Sequence, residues 1–232
     1  MDNHKMQRAL FFGSPWVLMI FVFSVTLAFS ISLNPLLLSL PLLLAYYTSI
    51  WGFVFYYQRR FAGKDRVLKR SELRPAYSGL SLWMLIWTIG YPILVGGICL
   101  VAVMPRLAWY WIVAGFFFAL VNGPSEEIFW RIFLERAGKD AGISQKTRLW
   151  YGSSVFGAWH FIFVLFLIPP QARALAMVTT LSSTFVAGLL WMMVYQKTGK
   201  MFPNIASHAA LNFLVIFPTT AATMLGLMPL GG

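Results

Sequence analysis

Negative charge is nearly missing from this chain: its 232 residues include seven Asp and Glu against eighteen Lys and Arg, with three His and one Cys. A single cysteine excludes an intrachain disulfide, a CxxC metal knuckle and a resolving-cysteine redox pair. Cys99 lies in an apolar stretch and reads as a small core residue. Charged residues of both signs make up only 11% of the chain, while 59% is hydrophobic and the mean hydropathy is +0.72. That balance leaves no room for a separate soluble domain. No HExxH sequence, internal repeat or low-complexity tract is present.

What is there in quantity is apolar sequence, in runs longer than the roughly 20 residues that cross a bilayer. The expected fold is all-α: a polytopic transmembrane bundle of seven or eight helices, forming a single membrane-embedded domain over residues 1–232. The spans read as 11–31, 35–57, 79–103, 109–133, 149–168, 174–195 and 203–217. Residues 218–230 are too short for a full crossing and leave room for a partial eighth helix. The first apolar run follows Lys5 and Arg8 as a signal peptide would, but it is longer than a signal h-region and has no clear small-residue cleavage site. A retained anchor is expected.

The net charge of +11 raises nucleic acid as a partner, but the basic residues sit in alternate loops. Of the eighteen, only Arg106 and Arg173 fall on the side opposite the N-terminus. The positive-inside rule then puts the N-terminus in the cytoplasm, with the loops 58–75, 134–148 and 196–200. The partner implied is a bilayer with anionic headgroups against the basic loops, above all 58–75, and no nucleic acid. The location expected is integral and multi-pass, in the cell (inner) membrane if the source is bacterial.

Against this background, ionisable groups inside apolar spans point to function. Three constellations stand out. In Glu126-Glu127-x-x-x-Arg131, Glu127 and Arg131 are four apart and share a helical face, so they can pair. Glu126 lies about 100° away around the helix, where it can face a water-filled cavity and serve as a general base. Bridging of neighbouring helices is the plainer alternative for both glutamates. In the second set, Phe156 and His160 are four apart, and an imidazole at that depth needs partners on its nitrogens. In the third, His208 and Asn212 are four apart with alanines between them, so two donors can converge on one point, as an oxyanion requires. Helix-packing glue is the other use of such residues.

Depth ties the sets together. At the rise of an α-helix, Glu126 lies about 12 Å, His160 about 18 Å, His208 about 8 Å and Asn212 about 14 Å from the cytoplasmic ends of their spans. A carboxylate and two imidazoles could also hold zinc. Buried Glu, His and Arg build proton relays as well, although no repeated half or pair of broken helices suggests a transporter.

EExxxR, then FxxxH about 30 residues later, then HxxxN in a late helix, resembles the CPBP family, the intramembrane CAAX-protease and bacteriocin-processing enzymes also called the ABI family. The resemblance covers roughly residues 109–217, the expected catalytic core. It implies an intramembrane glutamic endopeptidase acting on a membrane-associated protein or peptide, with no cofactor and no metal. It implies that Glu126 and His160 activate a water, that His208 and Asn212 stabilise the oxyanion, and that Glu127, Arg131 and Phe156 support them. One departure is Ile132, where members of the family often have glycine. Because the family includes proteins linked to bacteriocin self-protection, a non-enzymatic immunity factor or small proton-coupled transporter is the alternative.

Overall fold

The computed structural model describes residues 2–62, 69, 71–74, 77 and 79–227. The structure is 86% helical, with no strand among the described residues. Seven helices are long and apolar enough to span a membrane: α1 (Asn3–Ser30), α2 (Leu37–Phe61), α3 (Leu82–Arg106), α4 (Trp109–Asp140), α5 (Gln145–Leu167), α6 (Pro170–Thr198) and α7 (Phe202–Met224). Their outer faces are apolar, as lipid contact requires: Leu44, Leu94, Val101 and Leu175 are all well exposed. Buried polar side chains include Ser14, Thr26, Thr88 and Asn122.

Helix ends follow local chemistry more than hydropathy. The apolar run in α4 stops at Phe133, yet the helix continues to Asp140. There Gly142, at φ 65°, takes the left-handed conformation that terminates it, and the Ile143 amide donates to the Gly138 carbonyl at 2.9 Å. Ser144 then starts α5, its hydroxyl accepting from the Thr147 amide. The tail after residue 217 differs from expectation too: α7 runs on to Met224. Pro218 falls inside α7, directly after the π-helical turn Asn212–Ile216. The remaining expected residues, Met228, Pro229 and Leu230, lie outside the described residues, as does most of the basic stretch 63–70.

The helices gather into two compact units. One comprises Met1–Lys69 and Ile128–Met192, hence α1, α2, the C-terminal part of α4, α5 and most of α6. Its core is aromatic. Tyr46 stacks on Trp159 with ring centroids 3.8 Å apart, and its hydroxyl accepts from the Trp130 indole N–H at 3.0 Å. Phe129 and Phe133 stack alongside Phe53, and Tyr57 packs edge-on to Phe133. At the polar end, the Tyr57 hydroxyl donates to Asp140, and Arg148 pairs with Glu135 at 2.9 Å.

The other unit comprises Arg70–Glu127 and Met193–Gly232, hence α3, the N-terminal part of α4, the end of α6 and α7. Its packing depends on small residues. A Cβ on Gly96 would meet the Leu214 side chain at 2.6 Å, and one on Gly115 would meet the Phe217 ring at 2.7 Å. Cys99 lies in a small apolar cluster with Val103, Leu107, Ala221 and Ala222, the core role expected for it. At one end, the Glu72 carboxylate accepts from the Tyr195 hydroxyl at 3.0 Å, and its backbone carbonyl accepts from the Met201 amide at 2.8 Å. These contacts hold the residues leading into α7.

Candidate active site

Within the second unit, α4 and α7 cross where their backbones can almost touch. A Cβ on Gly123 would stand 3.0 Å from the Ala209 backbone nitrogen and 3.2 Å from its Cα. Such small-residue crossings let membrane helices approach closely without a hydrophobic driving force. The crossing places Glu126 and Glu127, one turn further along α4, against His208, the neighbour of Ala209. His208 Nδ1 lies 2.9 Å from Glu127 Oε1, and Nε2 lies 3.3 Å from Glu126 Oε2. All three side chains are almost fully buried, Glu127 completely so.

The polar set is wider than the motifs indicated. Asn122 precedes Glu126 by one helical turn and is buried, as are Ser125, Asn204 and Ser207. Asn204, His208 and Asn212 follow at i, i+4 and i+8, so α7 presents one continuous polar ridge. The four-residue spacings from Glu126 back to Asn122 and from His208 back to Asn204 were signals available in the sequence. Asn212 is 1% exposed, and its side-chain Nδ2 has no hydrogen-bond partner among the described residues. A buried amide donor in that state is costly unless something else accepts from it.

The other motif residues belong to the first unit. Arg131 is buried, with its guanidinium carbon 4.2 Å from the centre of the Phe156 ring and 5.4 Å from that of Trp191. Two ring faces thus stabilise the cation and fix its plane. Phe156 thereby acquires a concrete task. Trp191, on α6, had no sequence signal at all. Arg131 also sits in a π-helical turn, Ile128–Phe133, which departs from the 3.6-residue spacing on which the i,i+4 reading of Glu127 and Arg131 rests. Asn212 opens a second such turn, Asn212–Ile216.

His160 is half-buried. Its Nδ1 lies 2.9 Å from the Phe156 carbonyl, and its ring meets the edge of Phe156. A carbonyl can only accept, so Nδ1 carries the hydrogen in this bond, and in a neutral ring the lone pair would then be on Nε2. That tautomer suits a proton acceptor. The structure therefore joins Glu126, Glu127 and His208 in one contact set, with Asn212 on the same face of α7 as His208, and in the first unit it gathers Arg131 and His160 around Phe156.

A family model described as type II CAAX prenyl endopeptidase Rce1-like matches residues 107–214. The matched stretch contains Glu126, Glu127, Arg131, Phe156, His160, His208 and Asn212. No curated protein and no solved structure matches the chain. All three motifs lie inside the matched stretch, so over residues 107–214 the chain is similar to the Rce1-like CAAX endopeptidases of the CPBP family.

Proposed function

We propose that the protein is an intramembrane endopeptidase of the CAAX-protease type, hydrolysing a peptide bond in a membrane-associated protein or peptide by a glutamate-activated water. The observation that carries this reading is the buried Glu126 carboxylate against His208, with the unpartnered Asn212 amide donor one turn further along the histidine's helix, within the stretch matched by the endopeptidase family. A carboxylate accepts the proton of an attacking water, and donors held at the developing oxyanion stabilise the tetrahedral intermediate.

In this mechanism Glu126, together with His160, takes a proton from water as its oxygen attacks the scissile carbonyl carbon. His208 and Asn212 donate to the resulting oxyanion. Glu127, Arg131 and Phe156 hold the surrounding helices and charges in place. The bond from Nδ1 to the Phe156 carbonyl orients the His160 ring for this part. No covalent intermediate is needed, and no cofactor is assigned. Among the described residues, no three of His, Cys, Asp and Glu are grouped so as to hold a metal ion. Cleavage is expected to be insensitive to strong chelators.

The basic loops support a cytoplasmic N-terminus, a substrate segment arriving near the cytoplasmic face, and contact of those loops with anionic headgroups. Comparing peptide termini in membranes carrying the wild type with those carrying an equally abundant Glu126→Gln variant tests the proposal. Termini lost in the variant identify both the activity and its client. An unchanged profile while a wild-type phenotype is visible removes the protease reading and favours immunity or proton-coupled transport.

A further inference from the structure

The contacts of His208 bear on a part of the reaction that water activation leaves open: where the leaving amine obtains its proton. Both ring nitrogens face carboxylate oxygens, Nδ1 at 2.9 Å from Glu127 and Nε2 at 3.3 Å from Glu126. A neutral imidazole has one donor and one bare lone pair. Whichever nitrogen were bare would direct its lone pair toward a carboxylate oxygen in a site shielded from water. An imidazolium, with a hydrogen on each nitrogen, can donate toward both carboxylates.

The two contacts differ in kind. The Nδ1 contact to Glu127 is short and meets hydrogen-bond geometry, so it anchors the ring. The Nε2 contact to Glu126 is longer and is an ion-pair distance without that alignment. The Nε2 hydrogen is therefore close to Glu126 without being committed to it. His208 also lies one turn before Asn212, whose Nδ2 has no partner among the described residues.

We propose that Glu127 is a positioning residue that holds His208 doubly protonated, and that the His208 Nε2–H is the general acid for the leaving amine. This rests on the proteolytic reading above and adds a second role to a residue so far assigned only to the oxyanion. Water loses a proton to Glu126 as its oxygen bonds to the carbonyl carbon, and Nε2–H and Asn212 Nδ2–H donate to the oxyanion. When the C–N bond breaks, its electron pair stays on nitrogen, which takes the Nε2 proton. The proton on Glu126 then crosses to Nε2 and restores the resting state. One water is consumed: its hydroxyl ends on the new carboxyl group and its other proton on the amine.

The test uses the full chain in lipid with 15N-labelled histidine, the His208→Gln variant assigning the signal. Nitrogen NMR is expected to show hydrogen on both His208 ring nitrogens in the wild type and in Glu127→Asp, and on only one in Glu127→Gln. Cleavage of the client peptide identified by the terminus comparison should fall in Glu127→Gln by roughly 10²–10⁴-fold in kcat, the range of a lost acid–base partner, with KM changed little. An ester at the scissile bond makes a leaving group that needs no proton. His208→Gln keeps an oxyanion donor, so it should retain far more ester than amide cleavage. A bare ring nitrogen in the wild type, a spectrum unchanged by Glu127→Gln, or equal losses on amide and ester would overturn the proposal. The spectrum does not depend on turnover, so such a failure leaves proteolysis standing. A wild type that cleaves no client removes proteolysis, and with it the acid role.

Discussion

Two sets of buried ionisable groups follow one another along the sequence of α4, and different forces hold them. Before residue 128, Glu126 and Glu127 are met by an imidazole, in a unit whose helices approach through Gly96, Gly115 and Gly123. After it, Arg131 is met by the faces of Phe156 and Trp191, in a unit whose core is aromatic. A carboxylate needs donors at hydrogen-bond distance, so its surroundings must be small and its geometry narrow. A guanidinium accepts a ring face over a broader range of distance, so bulky residues can serve it. The contrast also separates the histidines: His208 is fixed by side chains that can exchange protons with it, whereas His160 is fixed by a backbone carbonyl that cannot.

Substitutions can break or sharpen this contrast. The largest effect is expected from His160→Ala: if its Nε2 takes part in proton transfer, cleavage should fall roughly 10²–10⁴-fold while the protein remains inserted and abundant. Retained cleavage by purified His160→Ala would reduce this histidine to a packing role. Next comes Gly123→Ala, whose added methyl would press on the Ala209 backbone. Overpacking of that kind costs about 1–3 kcal/mol, and it should also weaken the approach of His208 to the glutamates. A thermal unfolding curve in lipid matching the wild type would show that the crossing has slack.

Arg131→Lys keeps the charge but loses the flat group lying over the Phe156 and Trp191 rings, at an expected cost of about 1–2 kcal/mol. Trp191→Leu in the same background should then add little, because the pair shares one interaction. Additive losses in that double-mutant cycle would mean that the ring does not act through the cation. The smallest effect is expected from Tyr46→Phe, which removes the acceptor for the Trp130 indole while leaving the stack on Trp159. The expected loss is about 1 kcal/mol in unfolding free energy, with no change in cleavage.

Much of the architecture was legible before any coordinates. Runs of apolar residues located all seven spanning helices, because lipid exposure imposes composition on every outward position. Ends were less legible. The extension of α4 to Asp140 rests on a left-handed glycine and on Tyr57 and Phe11 packing near that end, none of which changes the hydropathy of the segment itself. The motif residues were visible as charge in the wrong solvent, and Asn122 and Asn204 shared their spacing without being singled out. Trp191 gave no signal, since an aromatic in an apolar helix is the commonest thing a membrane protein contains.

By itself the sequence determined that the chain is a helical membrane protein, which of its residues can carry acid–base chemistry, and which helical faces they occupy. Those properties depend on composition and on a 3.6-residue period, both local to the chain. Only the tertiary structure decided that His208 is gripped by both glutamates, and that Arg131 lies over Phe156 and Trp191. Partners on separate helices are chosen by where those helices cross and how each is rotated. Here a glycine without a Cβ at one crossing, together with π-helical turns beginning at Ile128 and Asn212, sets those quantities.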